Sequence, residues 1–550
     1  MPKLICLVVS IALLLAGAGA FGQNSTEYTA QLKLAQSGNA QAQDKVGAMY
    51  LSGDGVVKNA DEAFKWTMQA AESGYAAAQF HLGAMYAAGQ GTAPDNAAAV
   101  KWYRLAADQN NAEAELALGW LVLRGLNGKN DPGEAIRLFA LAATHGSANA
   151  QNEMGWRYFK GEGVSVDDEA ALKWLRLAAD QGNVRALTTL GLMYQLGRGI
   201  PQDYSAAVRL YRLAACQGFS NAQYSLSLMY YEGIGVPRNQ RGAIKWMSLA
   251  AKQGYGPAQS FMAEMYEAGN GVKPDFGQSA RLTLLLAIQG NAVAQNNLGW
   301  KYYTGSGVTQ DFQEALKWFH FAINQNNSEG KDSLAEAYRD GNGVAQDYSE
   351  AMKWFRRSAD QENDHAQFHI GEMYYDGHGV VQSYEEAIKW FRLAAGHGNV
   401  EAQLKLGEMF KSGIGVGTDQ KEAEKWFALA DEKKSAASIT AAADPEKLDT
   451  NHLDQAVMHC PDKSGGVIYP PQAKRDHQQG TVRLLVYIGL DGYVLDSRIS
   501  QSSGAESLDQ AALNVLDACT FSPVTSERIQ SPFWTSAEYV WKLPDLAGLQ

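Results

Sequence analysis

Two histidines have a spacing that metal chemistry uses. His365 and His369 lie four residues apart, which places them on one face of a helix, where two imidazoles can share a metal ion. No third ligand is evident in the sequence around them. His81 occupies the equivalent position in an earlier sequence repeat and has no companion. We therefore expect an exposed helix face at His369 and no metal site.

No other pattern indicates catalysis. The sequence shows no Ser-His-Asp spacing and no catalytic carboxylate pair, and its glycine pairs recur at regular intervals, as loops between repeats do. The formal charge of -12, from 47 basic and 59 acidic residues, disfavours nucleic acid as a partner. These observations predict a protein that is not an enzyme and that binds neither a cofactor nor nucleic acid.

The elements that would position such residues come from a repeat of 36 residues, which keeps its register through eleven copies. A basic residue marks each copy, at Lys65, Lys101, Arg137, Lys173, Arg209, Lys245, Arg281, Lys317, Lys353, Lys389 and Lys425. A small residue precedes it, at Gly47, Gly83, Gly119, Gly155, Gly191, Ser227, Ala263, Gly299, Ala335, Gly371 and Gly407. A helix without bulk at this position allows close approach of a neighbouring helix.

Between these two positions the sequence ends one helix and starts another. A glycine pair such as Gly197 and Gly199 suits a loop with positive φ. Favoured N-cap residues then follow, at Asn59, Asp95, Asp131, Asp167, Asp203, Asn239, Asp275, Asp311, Asp347, Ser383 and Asp419. Six of them have a glutamate three residues on, which predicts capping boxes with Glu62, Glu134, Glu314, Glu350, Glu386 and Glu422. Each repeat is therefore a helix pair that must stack on its neighbours.

One repeat shows a family pattern plainly, in Leu190-Gly191-Leu192-Met193-Tyr194, Gly197-Arg198-Gly199 and Leu213-Ala214-Ala215-Cys216-Gln217-Gly218. This pattern resembles the Sel1-like (SLR) repeats, relatives of the tetratricopeptide repeats. The resemblance covers residues 39–434, with 21–38 as an N-terminal capping segment. It implies an all-α, right-handed superhelical solenoid of helix pairs that serves as an adaptor for other proteins.

In related helix-pair repeats, the residues one and four positions after the small residue face a concave groove. Aromatic residues at these positions form the candidate partner-binding groove, namely Trp120, Trp156, Phe159, Tyr231, Trp300 and Tyr303. Such rings can anchor a peptide or a glycan, since they carry much of the energy of interfaces. The alternative is that they pack between adjacent helices.

A different pattern follows residue 434. Residues 435–466 are predicted to be a linker. Apolar residues then alternate from Thr481, a turn is predicted at Asp491-Gly492, and a second strand follows from Tyr493. An amphipathic helix at 508–516 and a last strand at 537–543 complete a small α+β domain of order ββαβ.

The motifs Tyr469-Pro470-Pro471, Gly480-Thr481-Val482 and Phe521-Ser522-Pro523 resemble the C-terminal domain of TonB-family proteins, here residues 467–550. The resemblance implies contact with outer-membrane transporters, with a partner strand added to the sheet edge. Some TonB-like domains have a cysteine pair in the arrangement of Cys460 and Cys519, and we expect a disulfide there. Two free thiols are the alternative.

The N-terminus has the features of a secretory signal: Lys3, an apolar stretch over 4–15, and Ala18-Gly19-Ala20. We expect residues 1–20 to be cleaved and the mature chain to be periplasmic. An uncleaved segment that anchors the chain to the inner membrane is the alternative.

These predictions together favour a non-enzymatic scaffold or adaptor of the cell envelope. The solenoid groove would bind one partner and the TonB-like domain another, among envelope proteins, outer-membrane proteins or peptidoglycan. One alternative is a divergent TonB-type energy transducer. Another is a cell-wall-active hydrolase, which would need a catalytic constellation that the sequence does not display.

Overall fold

The computed structural model describes residues 24–126, 130–439, 456–459, 480–488, 494–505, 508, 520–523 and 533–541. In the described residues, a leading helix and the eleven repeats form an all-helical solenoid of 23 helices. The chain divides into two compact parts, Met1–Ala222 and Gln223–Gln550, which are called the N-terminal and C-terminal parts below. Among the described helices, none combines the length and the apolarity that crossing a membrane requires.

The N-terminal part contains a leading helix and then pairs of helices. They are α1 (Asn24–Gln36), α2 (Ala40–Ser52), α3 (Ala60–Glu72), α4 (Ala76–Ala88), α5 (Asn96–Ala107), α6 (Ala112–Leu123), α7 (Pro132–Thr144), α8 (Ala148–Lys160), α9 (Asp168–Asp180), α10 (Val184–Leu196) and α11 (Tyr204–Cys216). The predicted capping segment 21–38 thus contains α1. The division between the two parts falls within α12 (Ser220–Glu232).

The C-terminal part continues the same pairing. Its helices are α13 (Gln240–Lys252), α14 (Gly256–Ala268), α15 (Phe276–Ile288), α16 (Ala292–Thr304), α17 (Phe312–Asn324), α18 (Ser328–Asp340), α19 (Tyr348–Ala359), α20 (Asp364–Asp376), α21 (Tyr384–Gly396), α22 (Val400–Ser412) and α23 (Gln420–Ile439). The even-numbered helices, from α2 to α22, are the first helices of the repeats, and the odd-numbered helices from α3 are the second.

The small residue of each first helix is buried against the second helix, as predicted. In the C-terminal part, a Cβ atom added to Gly299 would lie 2.5 Å from the ring of Phe319. In the N-terminal part, a Cβ atom on Gly83 would lie 2.7 Å from the ring of Tyr103. Real Cβ contacts are longer than this, so the absence of a side chain allows the aromatic ring to reach the helix backbone.

The predicted N-caps are confirmed. Asp347, for example, accepts hydrogen bonds from the backbone N–H groups of Ser349 and Glu350 at 2.9 and 3.0 Å. The reciprocal half is wrong, however, for five of the six predicted capping boxes, those that begin at Asn59, Asp311, Asp347, Ser383 and Asp419. Glu350 does not bond to the N–H of Asp347, because that group donates to the carbonyl of Tyr338 at 2.9 Å. The glutamate instead pairs with Lys353 at 2.8 Å, the basic residue that marks the repeat.

The same backbone bond recurs in the ten repeats that have an aromatic residue three positions after the small residue. The N-cap N–H groups donate to that aromatic's carbonyl in Asn59–Tyr50, Asp95–Tyr86, Asp167–Tyr158, Asp203–Tyr194, Asn239–Tyr230, Asp275–Tyr266, Asp311–Tyr302, Asp347–Tyr338, Ser383–Tyr374 and Asp419–Phe410, at 2.8 to 3.0 Å. This bond closes the loop between the two helices of a repeat. The backbone carbonyl of the aromatic residue therefore accepts the hydrogen bond that joins the two helices at this loop.

Side-chain amides link the two helices of a repeat, a feature that the sequence reasoning missed. A glutamine at the end of one second helix donates to a glutamine on the preceding first helix in Gln109–Gln79, Gln181–Gln151, Gln253–Gln223, Gln289–Gln259 and Gln325–Gln295, at 2.8 to 3.2 Å. The other repeats carry different residues at these two positions, and one of them has Glu115 and His145. There His145 Nδ1 lies 2.9 and 3.0 Å from the carboxylate oxygens of Glu115, which is fully buried.

The C-terminal segment contains five described strands: β1 (Ala456–His459), β2 (Gly480–Ile488), β3 (Val494–Gln501), β4 (Thr520–Pro523) and β5 (Phe533–Trp541). β2 lies between β3 and β5, and both pairings are antiparallel. β1 pairs with β4, also antiparallel. The buried side chains of Val482, Leu484 and Val486 follow the predicted alternation.

Several predictions for this segment fall on residues beyond the described ranges. They include the turn at 491–492, both Cys460 and Cys519, and all of the predicted helix except Leu508. The predicted linker 435–466 contains the end of α23 and the strand β1. The predicted signal at 1–20 also lies outside the described residues.

Candidate binding row and acidic cluster

The first helices present a regular row of accessible side chains. We define the exposed row as the residues one and four positions after the small residue of each first helix. Its members are Ala48, Leu51, Ala84, Ala87, Trp120, Leu123, Trp156, Phe159, Leu192, Gln195, Leu228, Tyr231, Glu264, Glu267, Trp300, Tyr303, Glu336, Arg339, Glu372, Tyr375, Glu408 and Lys411. Every member except Phe159 is partly or fully exposed, whereas the eleven small residues are all buried. The repeat therefore aims these positions away from the core.

In the N-terminal part, two tryptophans of the row are half-buried and packed on neighbouring rings. The ring centroid of Trp120 lies 5.0 Å from that of Phe139, and the Arg157 guanidinium lies 5.9 Å from the Trp120 ring. The ring of Trp156 lies 5.8 Å from that of Phe159, and Lys160 Nζ lies 5.0 Å above Trp156. Part of each indole remains open to solvent.

Phe159 follows the packing alternative instead. Its side chain is only 3% exposed and belongs to the apolar core formed with Leu172 and Leu190. The guanidinium of Arg198 lies 4.1 Å from the ring centroid and covers its face. Phe159 therefore supports the tryptophans of the row and presents no open ring to a ligand.

In the C-terminal part, Trp300 and Tyr303 form the most constrained aromatic pair of the row. Their ring centroids are 5.0 Å apart in an edge-to-face arrangement. Trp300 Nε1 donates a hydrogen bond of 2.7 Å to Ser333 Oγ on the next first helix. Asn342 Nδ2 donates to the hydroxyl of Tyr303 at 2.7 Å. Both side chains are thus fixed by the following repeat.

Tyr231, the remaining aromatic candidate, also lies in the C-terminal part. Its ring meets that of Phe261 edge-on at 5.3 Å, and the Arg238 guanidinium lies 5.6 Å from its centroid. It is separated along the chain from Trp300 by a repeat whose row residues are Glu264 and Glu267. The row is therefore not uniformly aromatic, and carboxylates interrupt it.

An acidic cluster occupies α18 and α20, and it corrects the prediction for His369. The side chain of His369 is only 14% exposed, and its Nε2 lies 3.7 Å from Glu336 Oε1. Asp332 and Glu336, one helical turn apart on α18, place carboxylate oxygens within 4.8 Å of the imidazole. We call Asp332, Glu336 and His369 the acidic cluster. His365, by contrast, is exposed.

His81 has no second histidine at the position of His365, but it does have an acidic neighbour. His81 Nδ1 lies 2.8 Å from Asp44 Oδ1. Asp44 and His81 stand at the repeat positions of Asp332 and His369, so the same two positions are filled by the same residue types twice. The repeated Asp and His were the signal in the sequence for these two contacts. It can be interpreted only once the structure shows that these positions of adjacent first helices lie close together.

Burial controls the charges of the acidic cluster. It raises the pKa of the Asp332 carboxyl to about 7 and also raises that of Glu336. Burial acts to lower the pKa of His369, but the hydrogen bond to Glu372 and the charge of Asp332 outweigh it and raise that pKa. The fold therefore favours a protonated His369 and neutral Asp332 and Glu336 more than water does. The positive charges nearby do not fully offset the cost of burying the two carboxylates in their ionised form.

Known proteins provide the family context. The Sel1 repeat model matches eleven segments of the chain, from 40–75 to 400–430. A model described as the Gram-negative bacterial TonB protein C-terminal matches residues 466–543. No curated protein matches the chain. Sel1 repeats suggest a protein-interaction scaffold, and the TonB match suggests a role in the cell envelope.

Two solved structures of repeat proteins are similar to the chain. One is c5321, a protective antigen present in uropathogenic Escherichia coli strains that displays an SLR fold. Its sequence is 32% identical, the match covers 76% of this chain and 91% of that chain, and the TM-score is 0.57. A Sel1 repeat protein from Oxalobacter formigenes is also 32% identical, over 56% of this chain and 89% of its own, with a TM-score of 0.40. By the length of the matched repeats and by the identity with c5321, the chain belongs to the Sel1 repeat family.

Proposed function

We propose that the protein is a non-enzymatic adaptor of the cell envelope, whose exposed row binds one protein partner while the TonB-like module binds another. The observation that carries this proposal is the pair Trp300 and Tyr303. Both rings are accessible, and both are already fixed by hydrogen bonds to the following repeat. The partners are expected among periplasmic and outer-membrane proteins, with peptidoglycan as an alternative ligand.

Fixed aromatic side chains are well suited to binding. An interface loses affinity when long side chains must be ordered on association, and Trp300 and Tyr303 have already lost that freedom in the unbound chain. Large rings surrounded by polar groups are also the residue type that dominates binding energy at protein interfaces. Glu336 and Arg339 continue the row in the next repeat, so a peptide with both apolar and charged residues would match it.

A capture experiment with the full-length chain tests this proposal. Trp300→Ala should abolish or strongly reduce recovery of a defined envelope protein by affinity capture and mass spectrometry. Trp318→Ala is the matched control. Trp318 lies in the same repeat but on the second helix, outside the exposed row. Its ring also packs against a neighbouring ring, since its centroid lies 5.4 Å from that of Phe321. Equal recovery with both variants would contradict the assignment of the row.

The TonB-like module supplies the second contact in this proposal. Among the described strands, β3 and β5 each have one neighbour, so their other edges are where a partner strand would add. Ile499 on β3 is 40% exposed. Ile499→Asp in the full-length chain should reduce capture of an outer-membrane protein, whereas Arg483→Asp on the central strand β2 should not. If both variants captured the same proteins as the unmodified chain, edge addition at β3 would be excluded.

A TonB-type energy transducer is the second candidate, and the match over residues 466–543 favours it. That function requires an intact N-terminal anchor in the inner membrane. The adaptor proposal instead expects export and cleavage after Ala20. The mass of the protein recovered from cells discriminates between them, since a mature N-terminus at Phe21 removes the anchor that a transducer needs.

A further inference from the structure

We propose that Asp332, Glu336 and His369 form a binding site for a first-row divalent transition-metal ion, with Zn²⁺ as the best-suited occupant. This inference is independent of the adaptor function. It replaces the expectation that His369 lies on an exposed face without a third ligand.

The geometry of the acidic cluster brings three ligand types together. Asp332 and Glu336 project from successive turns of α18, and His369 approaches from α20 of the next repeat. One ligand atom from each residue lies within 4.8 Å of those of the other two. Zinc–ligand bonds are about 2.0 to 2.2 Å long, so a central ion would draw these atoms only slightly inward.

Asp332 provides an independent observation. Its side chain is 7% exposed, and its Oδ1 atom is buried without a hydrogen-bond partner among the described residues. A buried carboxylate oxygen without a partner is costly, and such groups in native proteins call for an explanation. A cation bound between Asp332, Glu336 and His369 would satisfy this oxygen.

The surrounding charges leave room for a dication. Four carboxylates face the cluster or belong to it: Asp332, Glu336, Asp340 and Glu372. The fixed positive charge among them is Arg339, which donates to Glu336 Oε2 at 3.1 Å and to Asp340 Oδ1 at 2.8 Å. Glu336 Oε1 is then left facing His369 Nε2. Metal binding requires Asp332 and Glu336 to be ionised and His369 to be neutral, and one guanidinium cannot then neutralise four carboxylates, so the site in that state has an excess of negative charge.

The imidazole has the orientation that a metal ligand requires. His369 Nδ1 lies 3.0 Å from Glu372 Oε2 and 3.0 Å from Arg339 Nη1, so it can donate to the first or accept from the second. A metal ion bound at Nε2 takes the lone pair of that nitrogen, so the proton of the neutral ring must lie on Nδ1. Nδ1 then donates to Glu372. Glu372 would orient the ring, as carboxylates do behind many metal-bound histidines.

The donor set favours a particular class of ion. One imidazole nitrogen with two carboxylate oxygens suits Zn²⁺ and related transition metals, whereas Mg²⁺ and Ca²⁺ prefer sites made of oxygen alone. Three protein ligands leave a position for water or for a group of a bound partner. A cleft of about 660 Å³ lined by Arg339, His369 and Glu372 among others lies beside the imidazole of the site.

The chain contains its own comparison site. Asp44 and His81 occupy the same repeat positions as Asp332 and His369 and lie 2.8 Å apart. The repeat position of Glu336 is Ala48 there, so that pair lacks the second carboxylate. Glu336→Ala therefore leaves the acidic cluster with one aspartate and one histidine, the same two ligands as Asp44 and His81. We expect neither pair to hold a metal ion.

Calorimetric titration of the untagged, chelator-treated full-length chain with ZnCl₂ tests the site. The unmodified chain should bind one saturable equivalent, and MgCl₂ and CaCl₂ should give none at this site. His369→Ala and Glu336→Ala should each remove that equivalent, while His81→Ala should retain it. Glu372→Gln, which alters only the residue behind the imidazole, should weaken binding by roughly 10- to 100-fold.

A second measurement separates loss of the site from loss of the fold. Asp332→Asn removes the unpartnered charge, so without metal its melting temperature should equal or exceed that of the unmodified chain. It should nevertheless lose the increase in melting temperature that Zn²⁺ produces by binding the folded state. The proposal is overturned if His369→Ala binds as many equivalents of Zn²⁺ as the unmodified chain, or if His81→Ala loses binding equally.

Discussion

At the scale of single residues, Gly299 shows how closely the two helices of a repeat approach. A methyl group there would lie 2.5 Å from two carbons of the Phe319 ring, which is fully buried. Gly299→Ala should therefore destabilise the C-terminal part by about 1–3 kcal/mol through overpacking, despite the higher helix propensity of alanine. The free energy of unfolding from urea denaturation measures this effect.

Gly396 is the matched control for that substitution. It also lies in a helix, at the end of α21, but a Cβ atom there would meet nothing within 4 Å. Gly396→Ala should be neutral or stabilising by up to about 1 kcal/mol. Equal destabilisation by both substitutions would mean that close packing is not the reason for glycine at the small position.

The pair Glu115 and His145 gives a prediction about charge. Glu115 is fully buried, so His145→Ala would leave a carboxylate without its partner. Breaking a buried pair in this way costs roughly 3–5 kcal/mol, and we expect the low end because Glu115 can take up a proton. Glu115→Gln combined with His145→Gln should restore stability, since it recreates the amide pair of Gln79 and Gln109.

The cost of His145→Ala should depend on pH. Burial raises the pKa of Glu115 above 4.5, and the hydrogen bond with His145 opposes that rise. A carboxyl with a raised folded pKa contributes stability below its unfolded pKa and loses it as pH rises through the folded value. Removing His145 raises the folded pKa further. The destabilisation should thus be small near pH 4.5 and grow toward neutral pH, and a flat profile would exclude this account.

At the scale of helices, Asp347 is expected to matter more than the glutamate that follows it. Asp347→Ala removes acceptors from two backbone N–H groups and should cost about 1 kcal/mol of unfolding free energy. Glu350→Ala should cost less, because its partner Lys353 is exposed and the pair is screened by solvent. Ser349→Ala, an exposed change in the same turn, controls for helix propensity. An equal cost for Asp347→Ala and Glu350→Ala would restore the capping-box interpretation.

The same helices show which features the sequence could predict. Gly299 and Asp347 were predictable because their roles depend on neighbours within one repeat, where the spacing fixes the contacts. The proximity of His369 to Asp332 was not, because it depends on how one first helix packs on the next. The role of Glu350 was misjudged for a different reason: the Asp347 N–H group donates to the backbone carbonyl of Tyr338, and side-chain spacing carries no signal for such a backbone acceptor. Phe159 was assigned to the groove by its repeat position alone. That position does not reveal that the guanidinium of Arg198 lies over the face of its ring.

At the scale of the molecule, the repeats and the strand-containing segment differ in how they are stabilised. Within each described part of the solenoid, helices contact mainly their neighbours in sequence, so stability accumulates repeat by repeat. The TonB-like module is small and cannot accumulate stability in this way. A covalent link would therefore affect the module far more than the repeats.

Cys460 and Cys519 supply the test of this difference. If they form the disulfide implied by the TonB resemblance, Cys519→Ser should destabilise the module by roughly 4 kcal/mol. Limited proteolysis of the full-length variant should then cut within 467–550 much faster than in the unmodified chain, while cleavage within 39–434 stays unchanged. Cys216→Ser, at an exposed position in α11, should change neither rate. Alkylation of both Cys460 and Cys519 in denatured, unreduced protein would show free thiols and contradict the prediction.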